Sequence, residues 1–345
     1  MRAATVVPGR PELADVTDLA EPVAAPGELL VDGLLVGACG TDVEIVKEGF
    51  GELPPGRDRM VLFHESLGRV RSAPAGSGFV AGDLVAGVVR RPDPEPCAAC
   101  AADQWDFCRN GRYTERGIKE LDGYGAQRWT IEPKYAIRID PALGELGVLT
   151  EPASTVAKAW EQAELVGRRG YFAPRTALVT GAGSMGLLAA LFGVQRGLAV
   201  HVLDRVSTGP KPDLVRMLGA SYHQDLDTVP EPDVVIECTG AASLVFDLLR
   251  RTARNSVTVL IGLSGSTANL PVPAGVINDR TVLANNAVVG CVNGSLANYR
   301  QGSQALAAAD PRWLRQLITR RVPLADWPDS LRREPDDVKV VVDLT

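Results

Sequence analysis

Residues 176–193 read TALVTGAGSMGLLAALFG. Gly181, Gly183 and Gly186 stand in the spacing G-x-G-x-x-G. An apolar, β-branched run precedes them and a longer apolar stretch follows, so the glycines join a strand to a helix. No other feature constrains the fold as tightly. Gly181 allows the tight turn, Gly183 lets the backbone approach a pyrophosphate, and Gly186 lets the helix pack close to the strand. The helix start, with Ser184 and Met185 in its first turn, offers unpaired N–H groups and a positive dipole end to phosphates.

The segments around this motif alternate in the same way. AVHVLD, DVVIECTG and SVTVLIGL read as strands. SMGLLAALFGVQRG (ending at Gly197), DLVRMLGA and SLVFDLLRRTA read as helices. Alternating strands and helices with apolar, β-branched strands predict a doubly wound parallel sheet covered on both faces, an α/β fold. The second strand ends at Asp204, about twenty residues past the glycines, where a carboxylate can bond the adenosine ribose hydroxyls. A carboxylate there repels a 2′-phosphate, which favours NAD over NADP. Arg205 follows and could pair with that phosphate, so use of both stays open. Thr239, near the end of the next strand, completes the expected cofactor contacts.

Before residue 150 the chain is rich in Gly and Pro, with short strand-like runs such as ELLVDGLLVGA and DLVAGVV and no long helical period. A helical pattern starts at EPASTVAKAWEQAELVG, after Pro152. The chain of 345 residues has room for two domains. The expected division is 1–152, a dinucleotide-binding domain over 153–292, and 293–345 returning to the first domain through the strand VKVVVDL.

Formal net charge is −6 and no Lys/Arg run is long, which argues against nucleic acid as a partner. The N-terminal stretch lacks the apolar core of a secretory signal, and no apolar run reaches the roughly 18 residues a membrane span needs. The six cysteines are Cys39, Cys97, Cys100, Cys108, Cys238 and Cys291. Three of them cluster in CAACAADQWDFC, which in a cytoplasmic chain reads as metal binding before disulfides.

MVLFHESLG sets His64 beside Glu65 at the end of an apolar run, in a chain with three histidines. Alone, the pair fits a strand end whose His bonds a backbone carbonyl. GACGTD places Cys39 ahead of it and TEPAST places Glu151 after it. Thiolate, imidazole and carboxylate are the donors of a catalytic zinc site with one open position. Cys39 alone reads equally as a small buried core thiol.

The order G-x-C-G-T-D, His-Glu-x-x-G, C-x-x-C and then the nucleotide fold resembles the zinc-dependent medium-chain alcohol dehydrogenases. VRRPDPEPCAACAADQWDFCRNGRYTERGIKELDGYGAQRW and GVLTEPASTVAKAWEQ resemble the glucose (aldose) 1-dehydrogenases of that family. The resemblance covers nearly the whole chain. It implies a GroES-like, β-rich catalytic domain beside a Rossmann domain, and an enzyme using Zn2+ and NAD or NADP. It gives Cys39 and His64 as zinc ligands, and Glu65 as a metal-binding acid, direct or one layer out. It gives Glu151 as the carboxylate where other members use Cys, and Thr41 as the proton-relaying hydroxyl. Glu115 and Asn293 fall at positions meeting substrate, Asn293 also at the nicotinamide. A sugar or polyol substrate and a homo-oligomer, dimer or tetramer, follow from the same resemblance. Two residues depart from the pattern: Phe63 stands where the family has Gly before the His, and Ser66 replaces a small apolar residue. The family's structural zinc lobe has four cysteines; here Cys97, Cys100 and Cys108 are joined by Asp103, a carboxylate zinc accepts. A lobe without metal and a redox C-x-x-C remain alternatives. So do another polyol, cyclitol or amino-sugar intermediate as substrate, and a non-catalytic dinucleotide-binding protein.

Overall fold

The structure is a computed structural model and describes residues 1–265 and 269–345. The chain divides into two compact units, one of Met1–Ser154 with Asn293–Thr345, the other of Thr155–Val292. The division falls inside the helix Thr150–Gly167, two residues past the position read from Pro152.

The second unit holds a six-stranded sheet in which every neighbouring pair is parallel. Across the sheet the strands run Ser221–His223, Ala199–Leu203, Thr176–Thr180, Val234–Glu237, Val257–Leu260 and Ala287–Gly290. The central strands are buried along nearly their whole length, as a sheet covered on both faces requires. Strand order reverses beside Thr176–Thr180, and the crevice at such a reversal is where α/β sheets bind ligands. The glycine turn leaves the carboxyl end of that strand and enters the helix Ser184–Gln195. Gly186 permits the approach: a Cβ there would lie 1.7 Å from the Gly181 carbonyl oxygen.

The first unit is built on a seven-stranded sheet. Its long strand Leu29–Ala38 pairs antiparallel with Glu65–Ser72 on one side and Lys339–Asp343 on the other. The C-terminal strand thus joins the first unit's sheet, pairing Val340 with Ala38. A smaller sheet joins Arg90–Arg91 to Thr114–Arg116, with Arg90 directly opposite Glu115.

One helix in this unit lies where the sequence reading found only strands and turns: Gly40–Glu48. It starts at Cys39, whose N–H donates to the Asp42 carboxylate at 2.8 Å, and stops at Gly49 in the left-handed region. An acidic side chain three residues past the cap is a helix-start signal, here hidden inside a Gly- and Cys-rich motif.

Phe63 carries a finding of its own. Its φ is +71°, the left-handed region that glycine enters freely and bulky residues avoid. The backbone therefore holds a conformation that suits glycine while the side chain is phenylalanine. The ring is fully buried and meets Trp327 edge-to-face at 5.6 Å. Burial and that aromatic contact offset a backbone strain of about 1–3 kcal/mol.

Candidate active site

Two antiparallel strands and one helix start bring the metal-type donors together. Cys39 caps the helix Gly40–Glu48 at the end of strand Leu29–Ala38, and Glu65 opens the strand paired with it, opposite Gly37. The Cys39 thiol, a ring nitrogen of His64 and a Glu65 carboxylate oxygen lie within 4.8 Å of one another. His64 and Glu65 are buried. Gly37 makes room for Glu65, since a Cβ there would sit 2.0 Å from Oε2.

A second layer fixes these groups. Asp42 Oδ1 stands 3.3 Å from His64 Nδ1, and neither buried atom has another partner among the described residues. Burial works against a charged His64, but Asp42 and then Cys39 outweigh it, so the imidazole holds its proton well above the ordinary value of 6.5. A metal needs the neutral ring, so its binding releases that proton. Lys339 Nζ donates to both Glu65 oxygens at 2.7 Å and to the Ala38 carbonyl at 3.1 Å, all three of an ammonium's donors in use. Thiolate, imidazole and carboxylate, with a carboxylate behind the histidine, fit a zinc ion.

Glu151 is buried in the first turn of helix Thr150–Gly167. Burial pushes its pKa up to about 7; Glu65 and Asp42 add to the rise, while His64 and Lys339 oppose it. It lies within electrostatic reach of the donors and outside the 4.8 Å cluster. Thr41, half-buried, sits two residues past Cys39 in the first turn of its helix.

Glu115 and Asn293 meet directly: Asn293 Nδ2 donates to Glu115 Oε1 at 2.8 Å, across 178 residues of sequence. Arg90 Nε donates to the same oxygen at 2.9 Å. All three side chains are buried. Glu115 Oε2 has no protein partner among the described residues.

At the glycine turn, Gly181 has φ +83°, Gly183 caps the helix, and nothing lies within 4 Å of a Cβ built on Gly183. Ser184 and Met185 occupy the first helical turn, whose N–H groups have no intrahelical acceptor. Asp204 braces the turn: Oδ2 accepts from the Ala182 N–H at 2.6 Å and Oδ1 from the Arg205 N–H at 2.6 Å. Oδ1 also accepts the Val206 N–H at 3.3 Å, so Oδ2 is the oxygen that keeps a second lone pair for a ribose hydroxyl. The Arg205 side chain is exposed beside it. Thr239 Cγ2 lies 3.1 Å from a Cβ built on Gly181, and the Thr239 N–H donates to the buried Glu237 carboxylate at 2.8 Å. This cradle, open at Gly183 and lined by free N–H groups, fits a dinucleotide pyrophosphate.

In the cysteine lobe the sulphurs of Cys97, Cys100 and Cys108 gather within 4.8 Å, and Asp103 is not among them. Asp103 is exposed, with φ +58°. Backbone N–H groups of Arg109 and Cys100 lower the Cys97 thiol to about 6, while burial raises Cys100 to about 11. Three sulphurs match three of the four ligands of a closed structural zinc site.

The sequence reading missed Asp42, Lys339 and Arg90. Asp42 was within reach, as the acidic residue of G-x-C-G-T-D. Lys339 and Arg90 have no local signature, because each is defined by a partner that the sheets bring opposite.

A thiol–imidazole–carboxylate donor set in one unit and a glycine-turn nucleotide fold in the other define a zinc-dependent, dinucleotide-linked dehydrogenase. The family model for the alcohol dehydrogenase GroES-like domain matches residues 25–141, and that for the glucose dehydrogenase C-terminus matches residues 144–344. The chain is 35% identical to a glucose 1-dehydrogenase of Methanocella arvoryzae, covering 100% of this chain and 99% of that protein. It is 37% identical to one of Thermoproteus tenax, covering 99% of each. Among solved structures it is similar to Haloferax mediterranei glucose dehydrogenase in complex with NADP, Zn and gluconolactone. There the TM-score is 0.92 at 30% identity, over 100% of this chain and 99% of that one. The chain belongs to the glucose dehydrogenase family of the zinc-dependent medium-chain alcohol dehydrogenases.

Proposed function

We propose that the chain oxidises the anomeric hydroxyl of an aldose, glucose first among them, to a lactone, with NAD or NADP as hydride acceptor. The observation that carries this reading is the convergence of Cys39, His64 and Glu65, in a chain whose relatives are glucose 1-dehydrogenases along their whole length.

Cys39 and His64 would hold the ion, and Glu151, buried within electrostatic reach of them, would complete the set. Glu65, both oxygens engaged by Lys339, acts from one layer out. A bound zinc supplies a Lewis acid that lowers the pKa of the substrate hydroxyl. Thr41 accepts the hydroxyl proton and passes it toward solvent. Glu115 and Asn293 take sugar hydroxyls, each of which needs a partner once it leaves water. The glycine turn and Asp204 would bind the dinucleotide, which when bound supplies the nicotinamide that accepts a hydride.

The cofactor choice rests on Asp204 and Arg205. The Asp204 carboxylate favours NAD; the exposed Arg205, and NADP in the Haloferax complex, favour acceptance of NADP too. Six free thiols suit a reducing cytoplasm. A homo-oligomer is favoured by the sheet edge Ala287–Gly290 and the helix Ala274–Leu283, which buries no residue and exposes Val276, Val282 and Leu283. Among the described residues no helix is long and apolar enough to cross a membrane.

The test is Glu115→Gln. It raises KM for the best aldose by roughly tenfold or more, the loss of a hydrogen bond to a charged group, and leaves KM for 2-butanol alone. Equal losses on both substrates contradict a sugar-binding Glu115. A dehydrogenase for another polyol would show as a better substrate in the same panel.

A further inference from the structure

Arg90 is a buried cation to which the reaction as described gives no task. Its guanidinium makes three contacts. Nε donates to Glu115 Oε1 at 2.9 Å, Nη1 donates to the Asp106 carbonyl at 3.1 Å, and its carbon lies 3.7 Å from the centre of the Tyr113 ring. The two charged side chains are 6% and 11% exposed, so solvent screens their attraction little. They are cross-strand partners in register, Arg90 on one strand and Glu115 directly opposite. Asp106 lies in the short helix Trp105–Phe107, within the lobe that carries Cys97, Cys100 and Cys108.

The consequence is an asymmetric carboxylate. Glu115 Oε1 receives two donors, Arg90 Nε and Asn293 Nδ2, while Oε2 receives none among the described residues. Two fixed donors on one oxygen hold the side chain in one orientation and leave the other oxygen free to accept. A carboxylate whose only task was to neutralise Arg90 would present both oxygens to the guanidinium fork, the bidentate geometry arginine favours. Here the fork is split, with one arm on Glu115 and one on the lobe backbone.

We propose that Arg90 is a positioning residue for sugar binding: it orients Glu115 so that Oε2 accepts a substrate hydroxyl, and it ties that carboxylate to the cysteine lobe through the Asp106 carbonyl. The proposal rests on the reading of Glu115 as a sugar contact. Lysine cannot replace Arg90, because a single ammonium does not reproduce a planar fork spanning both acceptors.

The experiment is steady-state kinetics on the zinc-loaded enzyme for wild type, Arg90→Lys, Arg90→Met, Glu115→Gln and the Arg90→Met/Glu115→Gln double variant. KM and kcat are read for the best aldose, for 2-butanol and for the dinucleotide. Both Arg90 variants are expected to raise aldose KM roughly tenfold or more, with kcat within about twofold of wild type. KM for 2-butanol and for the dinucleotide stays unchanged. In the double variant the aldose KM matches that of Glu115→Gln alone, because Arg90 acts through Glu115. Multiplying losses in the double variant, or equal losses on aldose and 2-butanol, overturn the positioning role. If Arg90→Met does not fold, Arg90→Lys paired with Glu115→Gln completes the same cycle. A wild-type enzyme that oxidises no aldose or polyol overturns the functional reading itself, and that result precedes any variant.

Discussion

Lys339→Met removes the ammonium that neutralises Glu65, and its cost follows from the structure. Both side chains are 2% exposed, with Nζ 2.7 Å from each carboxylate oxygen. Burial acts to lower the lysine pKa, yet the Glu65 and Cys39 charges prevail and raise it above its ordinary 10.5. A lysine raised on folding contributes stability that is whole below pH 10.5 and is lost as pH climbs through the folded value, so the pair is fully formed at pH 7. Methionine keeps most of the volume but strands a buried carboxylate. Breaking a buried pair on one side costs about 3–5 kcal/mol, a large share of the roughly 5–15 kcal/mol that holds a protein folded. For a unit of about 200 residues that is a fall in Tm of roughly 6–20 °C. Lys339→Met/Glu65→Gln removes both charges and recovers most of the loss. Urea denaturation at pH 7 of wild type, both single variants and the double variant measures it. A Lys339→Met protein within about 0.5 kcal/mol of wild type, or a double variant no better than the single, refutes the pairing.

Asp204→Ser lowers the ratio of kcat/KM for NAD to that for NADP by about tenfold, since the ribose acceptor and its repulsion of a 2′-phosphate both go; an unchanged ratio places the adenosine ribose elsewhere. His201 and His223 share a 2.9 Å hydrogen bond, and both pKa values lie below the ordinary 6.5, chiefly through burial. The unfolded chain therefore takes up protons first, and stability, whole above pH 6.5, falls as the pH drops toward the lowered folded values. His223→Gln flattens that fall in urea titrations between about pH 6.5 and 5; an unaltered acid limb contradicts it. At Phe63, Gly and Ala variants both lose about 3–5 kcal/mol of buried ring, but Gly is the more stable by about 1 kcal/mol because φ is +71°. The ordinary order, Ala above Gly, would show that the left-handed backbone is wrong.

What the sequence disclosed follows the range of each interaction. The glycine turn was legible because Gly181, Gly183, Gly186 and Asp204 all fall within one strand–helix–strand unit. Cys39 and His64 were legible as motifs, though 25 positions apart. Their support was not. Lys339 reaches Glu65 across 274 residues, and only the C-terminal strand's place beside Leu29–Ala38 makes them neighbours. Arg90 has no local signature, and only the sheet register sets it opposite Glu115. The helix at Gly40 was hidden by glycines that read as a turn, and the strain at Phe63 is a backbone property that composition does not carry. Asp103, placed among the lobe's ligands by spacing, is exposed and stands apart from the three sulphurs.

The central claim is that this chain is a zinc-dependent aldose dehydrogenase, and one measurement tests it most directly. The purified enzyme is assayed for aldose-dependent reduction of NAD and NADP, stripped with a chelator, and assayed again after zinc is restored. The account predicts turnover with an aldose, its loss on stripping with dinucleotide binding retained, and its return with zinc. Full activity in the stripped enzyme, or no reduction with any aldose or polyol, would contradict it.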